Sequence, residues 1–213
     1  MNDEQSPLFS TEIRELIGKH KVFSGGRRHR ELVADLLPAD AVWIEIIVPL
    51  TEVYRQYQEL NAPILVFASG DPLFFGYTTT LFPGLVSRTF PSFSSLQMLA
   101  HSLRLPYHDM RVVSLTGRPW HELDRALIER AAKVGVLTDL KNTPARIAQR
   151  MLDYGYSNYQ MHIGVRLGGN REEVYSLPLE EVVKREFEHP NCLIIEDPHP
   201  TSYAAPIGLH ELD

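Results

Sequence analysis

Short apolar runs alternate with amphipathic stretches along most of the chain, and that alternation predicts its elements. Ser10 precedes Ile13, Leu16 and Ile17, which share one helical face and predict a capped helix. Val22-Phe23 predicts a short strand running into Ser24-Gly25-Gly26. Leu32, Val33, Leu36 and Leu37 predict a second helix, Ala41 to Val48 a strand, and Val53 to Leu60 a helix. Ile64 to Ala68 is continuously apolar and stops at a glycine turn, the pattern of a strand buried on both faces of a parallel sheet. Helix, strand and helix follow at Phe74 to Leu81, Leu85 to Phe90 and Ser94 to Leu103.

A second half starts near Leu105-Pro106-Tyr107. Arg111 to Leu115 predicts a strand, Glu122 to Ala132 a helix and Val134 to Leu137 a strand. Thr143 to Tyr154 predicts a helix with Pro144 in its first turn. Tyr159 to Leu167 and Val174 to Leu177 predict strands paired through Gly168-Gly169-Asn170, followed by a helix near Leu179 to Phe187 and a strand at Cys192 to Ile195. The alternation implies an α/β architecture. Two sheets of about five strands suit the element count better than one long sheet. The expected division is an N-terminal α/β domain over 1–108, a C-terminal α/β domain over 109–198, and a linker or tail rich in Pro and His over 199–213.

Composition narrows this picture. The net charge of -6 argues against non-specific nucleic-acid binding, yet allows a local basic patch. No window approaches the roughly 18 continuous apolar residues of a membrane helix, and the polar start Met1-Asn2-Asp3-Glu4-Gln5 lacks a secretory signal. Cys192 stands alone, so neither an internal disulfide nor a cysteine-based zinc cage is available. Its apolar run reads as a buried strand, and a cytoplasmic location is expected.

Four segments carry candidate chemistry. In Ile64 to Gly76, an apolar strand ends in Ser69-Gly70-Asp71-Pro72, and ligands of parallel sheets bind at the carboxyl ends of strands. Gly70 permits close approach to the backbone, Asp71 can cap a helix, and Pro72 suits its first turn. A tight turn without a ligand explains the same residues. Pro91-Ser92-Phe93-Ser94-Ser95-Leu96-Gln97 offers hydroxyls and N–H groups, or simply an N-cap. Ser24-Gly25-Gly26-Arg27-Arg28-His29-Arg30 clusters cations that could grip carboxylates, or form a solvated face. Val112 to His121 mixes a strand end, a glycine turn and the basic side chains Arg118 and His121, or serves as an interdomain link.

Taken together, these motifs resemble the tetrapyrrole methylase family, in the branch that methylates corrin precursors. The resemblance rests on Ser-Gly-Gly-Arg-Arg-His at 24–29, Ala-Ser-Gly-Asp-Pro-Leu-Phe-Phe-Gly at 68–76, Pro-Ser-Phe-Ser-Ser-Leu-Gln at 91–97 and Val-Val-Ser-Leu-Thr-Gly-Arg-Pro at 112–119. Leu137-Thr138-Asp139 and Leu167-Gly168 follow in the expected order, and the match covers roughly residues 8–196. It implies two α/β domains, the first with a parallel sheet and the second with a mixed one, and a cleft between them for S-adenosyl-L-methionine. It further implies that Gly70, Asp71, Pro72, Phe74, Ser94, Ser95 and Thr138 contact this donor. Arg27, Arg28, His29 and Arg118 would anchor the carboxylates of a corrin precursor methylated at carbon 5, in cobalamin biosynthesis. No catalytic acid–base pair is expected, because positioning an electrophilic methyl supplies most of the effect.

The family normally begins with an apolar strand, whereas Met1 to Pro7 is polar here; that first strand is expected to be missing, leaving an unpaired sheet edge. Tyr203 to His210 faintly resembles a junction to a decarboxylating methyltransferase module, a partner that would be fused or separate. A homodimer is expected. The readings left open are a methyltransferase of the same fold acting on protein or RNA, and an inactive, truncated binding module.

Overall fold

The computed structural model describes residues 9–60, 62–75 and 86–200. Residues 76–81 of the helix expected at Phe74 to Leu81, the start of the strand expected at Leu85, and the junction at Tyr203 to His210 lie outside them. The chain forms two compact units, one of Met1–His101 with Arg166–Glu173, the other of Ser102–Val165 with Val174–Asp213.

In the first unit, α1 (Thr11–Lys19) is capped by Ser10, whose Oγ accepts the Ile13 N–H at 3.3 Å. β1 (Val22–Gly25) lies between β2 (Val42–Glu45) and β3 (Ile64–Val66), and pairs in parallel with both. That central place explains why all four β1 residues are buried. Phe23 packs with Ile17, Val33 and Phe67, while Trp43 stacks on Phe67 at 6.0 Å. The buried Ser24 hydroxyl donates to the Ile44 carbonyl at 2.8 Å and accepts from the Tyr57 hydroxyl at 2.6 Å, so its polarity is satisfied. The described residues of this region also form the helices α2 (Arg27–Val33), α3 (Thr51–Glu59) and α4 (Ser95–Leu103), with a 3-10 turn at Ala34–Leu36.

Three expectations for this region are corrected. Among the described residues the sheet has three strands rather than about five. The strand expected over Ala41 to Val48 closes at Glu45, because β1 ends at Gly25 and Ile46 N–H takes its carbonyl at 3.0 Å. Residues 86–90 join no ladder. Arg88 there pairs with Glu12 at 2.7 Å and stacks on Phe90 at 4.5 Å, so side-chain contacts hold this segment without a neighbouring strand.

The second unit is built on a five-stranded sheet, ordered β4-β5-β8-β6-β7. These strands are β4 (Arg111–Ser114), β5 (Lys133–Leu137), β6 (Gln160–Val165), β7 (Glu173–Pro178) and β8 (Asn191–Glu196). β4 and β5 are parallel, and β8 runs antiparallel to both β5 and β6, which gives the expected mixed sheet. Cys192 is buried on β8, as its apolar run implies. α5 (His121–Ile128) stops short of Ala132, because Arg130 turns to φ 53° and Ala131 N–H bonds back to Ala126. α6 (Pro144–Asp153) is capped by Thr143 with Pro144 at its start, as expected. α7 (Leu179–Val182) is far shorter than the stretch to Phe187; the chain leaves the helix and Phe187 packs edge-on against Tyr175 at 5.3 Å.

Candidate functional site

Parallel pairing brings the carboxyl ends of β1 and β3 side by side, with Ser24 opposite Val66 and Phe67 N–H bonded to the Ser24 carbonyl at 2.8 Å. The loops leaving these strands are the Gly25-Gly26 turn and the segment from Ser69 to Phe75. Gly25 is required by space: a Cβ there would meet Trp43 Cζ2 at 3.0 Å, His29 Cβ at 3.1 Å and the Phe67 carbonyl at 3.2 Å. Gly70 is required by its backbone, at φ 66°.

Beyond Gly70 the chain closes a polar turn. The Asp71 carboxylate accepts the Leu73 N–H at 2.9 Å, and its carbonyl accepts the Phe74 N–H at 3.1 Å. Pro72 lies within this turn, and Phe74 meets Phe75 edge-on at 5.3 Å. Ser94 is buried and caps α4 reciprocally: its Oγ accepts the Gln97 N–H at 3.2 Å, and its own N–H donates to Gln97 Oε1 at 2.9 Å. Ser95 opens the helix. A Cβ on Gly70 would lie 3.6 Å from both the Phe93 carbonyl and Ser94 Cα, so the two loops are neighbours. Gly70 and Ser94, identified separately in sequence, are therefore brought together.

The basic motif is arranged less uniformly. Arg27 is exposed and pairs with Glu31 at 3.4 Å on the same helix. Partial burial, and then the charge of Arg166, hold the Arg28 guanidinium below its ordinary range, with Glu31 opposing. Arg166 carries no signal in the sequence, since it follows β6 and reaches the first unit only through the fold. His29 points to its own turn and to the neighbouring loop: Nδ1 accepts the Gly26 N–H at 3.2 Å, and Nε2 bonds Ser69 Oγ at 2.9 Å. Burial, reinforced by the Arg28 charge, pushes its pKa down to about 4. Sequence reasoning missed the His29–Ser69 link, because nothing local marks a contact across 40 positions.

Thr138 and Arg118 belong to the second unit. Thr138 Oγ1 faces the Asn191 carbonyl at 2.6 Å and its side-chain oxygen at 2.7 Å, and the Thr138 carbonyl accepts from Thr116 Oγ1 at 3.0 Å. Asp139 collects the N–H groups of Gly117, Asn142 and Lys141 at 2.7–2.8 Å. Burial would raise its pKa, but those donors outweigh it and hold the carboxyl below the usual range. Arg118 is exposed in the tied turn, its N–H on the Leu115 carbonyl at 3.3 Å.

Comparison with known proteins matches this arrangement to a family. The chain is 34% identical over 168 residues to a Sinorhizobium protein named precorrin-6Y C(5,15)-methyltransferase [decarboxylating], covering 76% of this chain and 40% of that protein. It is 31% identical over 137 residues to the Salmonella typhimurium cobalt-precorrin-7 C(5)-methyltransferase, covering 63% and 66%. The chain thus spans less than two thirds of either relative. In fold it matches the cobalamin-biosynthesis precorrin-6Y methylase of Archaeoglobus fulgidus, with a TM-score of 0.64 at 17% identity over 92% of this chain and 95% of that one. The Thermus thermophilus uroporphyrin-III C-methyltransferase, solved with S-adenosylhomocysteine, gives a TM-score of 0.64 at 22% identity over 89% and 86%. The family model of tetrapyrrole (corrin/porphyrin) methylases matches residues 9–183. This chain belongs to that family.

Proposed function

We propose that the chain transfers a methyl group from S-adenosylmethionine to carbon 5 of a corrin precursor, precorrin-6Y or its cobalt-containing counterpart, in cobalamin biosynthesis. The names of the two sequence relatives support this reading. The observation that carries it is the close approach of the Gly70 backbone to the Ser94 cap, at the carboxyl ends of parallel strands in a chain of this family.

The residues fit the donor. A bare backbone at Gly70, with the polar turn of Asp71 beside it, suits close approach by a ligand carrying hydroxyls and an ammonium group. Gly70, Asp71, Pro72, Phe74, Ser94 and Ser95 would hold it in the first unit. S-adenosylmethionine supplies a methyl group already activated on a sulfonium. The chain's own task is then to position it and exclude water, which needs no acid–base pair. Arg28 and Arg118 are proposed to grip substrate carboxylates, with Arg27 contributing less because Glu31 already pairs with it.

The cytoplasm is the proposed location. Among the described residues no helix is long and apolar enough to cross a membrane, and the one cysteine, Cys192, is buried and has no second cysteine to pair with. A homodimer is proposed too: among the described residues β2 is an edge strand, with Val42 51% exposed, and exposed edges favour association. A decarboxylating module, fused or separate, is the proposed partner, since the Sinorhizobium relative carries that activity in its name and is longer than this chain.

The test is incubation with methyl-labelled S-adenosylmethionine and each precursor in turn. One label per corrin is expected, located at carbon 5 by NMR. Label at another position, or on neither precursor, would reject the assignment. Replacing Arg28 or Arg118 by alanine should raise the precursor KM, and unchanged kinetics in both would remove them as anchors.

A further inference from the structure

His29 lies in a basic run, yet its ring faces inward. A backbone N–H can only donate, so the contact from Gly26 fixes Nδ1 as an acceptor and places the ring hydrogen on Nε2. Nε2–H then donates to Ser69 Oγ at 2.9 Å. The ring therefore joins the first turn of α2 to the loop that leaves β3. A second proton would set Nδ1–H against the Gly26 N–H and break this arrangement. Such a ring makes a poor anchor for a substrate carboxylate, which wants an imidazolium.

Gly25 explains how the ring gets there. A methyl group at this position would press on His29 Cβ, Trp43 and the Phe67 carbonyl at 3.0–3.2 Å. Without it, the first turn of α2 lies close against the end of β3 and the imidazole can span to Ser69. The glycine, the histidine and the serine thus act as one device, drawn from motifs that the sequence presents separately. Ser69 precedes Gly70, the residue whose left-handed backbone shapes the candidate donor loop.

We infer that His29 is a positioning residue: through Ser69 it struts the Ser69-Gly70-Asp71-Pro72 loop against the β1–α2 turn and so sets the affinity for the methyl donor. The assignment rests on the donor-site reading above. Three features carry it: the two hydrogen bonds, the tautomer they impose and the close packing at Gly25.

The test uses S-adenosylhomocysteine as probe, titrated calorimetrically into the full chain and into His29→Ala, Ser69→Ala, the double variant and His29→Asn. Each single alanine change is expected to raise the Kd about tenfold. The double variant should match a single one instead of multiplying the losses, because the two side chains act through one bond. His29→Asn can still accept from Gly26 but cannot reach Ser69, so it should behave like alanine. The precursor KM should move less than the donor Kd. Nitrogen NMR of the histidine ring should show Nδ1 bare and Nε2 protonated at neutral pH. An unchanged Kd in both His29→Ala and Ser69→Ala, with a raised precursor KM in the former, would overturn the inference and restore His29 as an anchor. A wild-type chain that binds no S-adenosylhomocysteine would instead reject the donor site itself. Hydrogen exchange in the ligand-free chain still decides the strut in that case. The Leu73 amide, held by Asp71, should exchange faster in both alanine variants, and equal rates would overturn it.

Discussion

The two units hold themselves together by different means. In the second, Val134, Val136, Met161, Ile163, Leu193 and Ile195 are all 0% exposed, and they come from three neighbouring strands of one sheet. Helices α5 and α6 add Leu123, Ile147 and Met151 to the same cluster. In the first, among the described residues, a three-stranded sheet is backed by smaller groups, among them one around Phe23 and one around Val53. Its loops are fixed by individual polar bonds: Ser24 to Ile44 and Tyr57, His29 to Ser69, Asp71 to Leu73, and Ser94 to Gln97. Burial is non-directional and tolerant, whereas a hydrogen bond fixes one geometry. The candidate site thus sits where shape is specified bond by bond, and the larger core acts as scaffold.

Substitutions can break this contrast. The largest effect is expected for Ile163→Ala in the second unit, about 2–5 kcal/mol lost in urea unfolding, from transfer and cavity terms together. Gly25→Ala comes next, at about 1–3 kcal/mol from overpacking against backbone and ring. Unlike Ile163→Ala, it should also weaken S-adenosylhomocysteine binding, because His29 is displaced.

A pH effect follows from His29. The ring titrates near 6.5 when unfolded and about 4 when folded, with burial the first cause and the charge of Arg28 a smaller one. Between those values the unfolded chain binds more protons, so this contribution to stability is complete above pH 6.5 and is lost as the pH falls toward 4. Gly26 and Ser69, its bonded neighbours, bring no side-chain charge. His29→Gln should flatten that part of the stability–pH curve, checked by urea midpoints across the window. The smallest effect is expected for Asp124→Asn in the second unit. Its bond pair to Arg150, at 2.7 and 2.9 Å, is about one third exposed, so the loss should stay below about 1 kcal/mol.

Much of the scaffold is legible in the sequence, because it is written as hydrophobic period. The runs at Ile64, Val134, Met161 and Cys192 all become strands, and Ser10 and Thr143 cap the helices they precede. Where a strand or helix stops is less legible, because neighbours decide it. Ile46 to Val48 is apolar enough for a strand, but β1 has no further residue to pair with it. Val86 to Phe90 joins no ladder although a strand is expected there, and Val183 to Phe187 keeps a helical pattern but turns instead to bring Phe187 onto Tyr175. The site shows the same divide. Gly70 and Ser94 announce themselves by turn and cap chemistry, whereas the inward ring of His29 and the charge of Arg166 near Arg28 arise only from tertiary placement.

The most direct measurement is a calorimetric titration of S-adenosylhomocysteine into the wild-type chain, Gly70→Val and Ile163→Val. Saturable binding is expected for wild type. Gly70→Val should weaken it by about tenfold or more, because a branched side chain cannot sit at φ 66° without reshaping the loop. Ile163→Val should bind as wild type does, despite its lower stability. Equal affinity in the Gly70 variant, or none in wild type, would contradict the assignment of the donor site to the first unit.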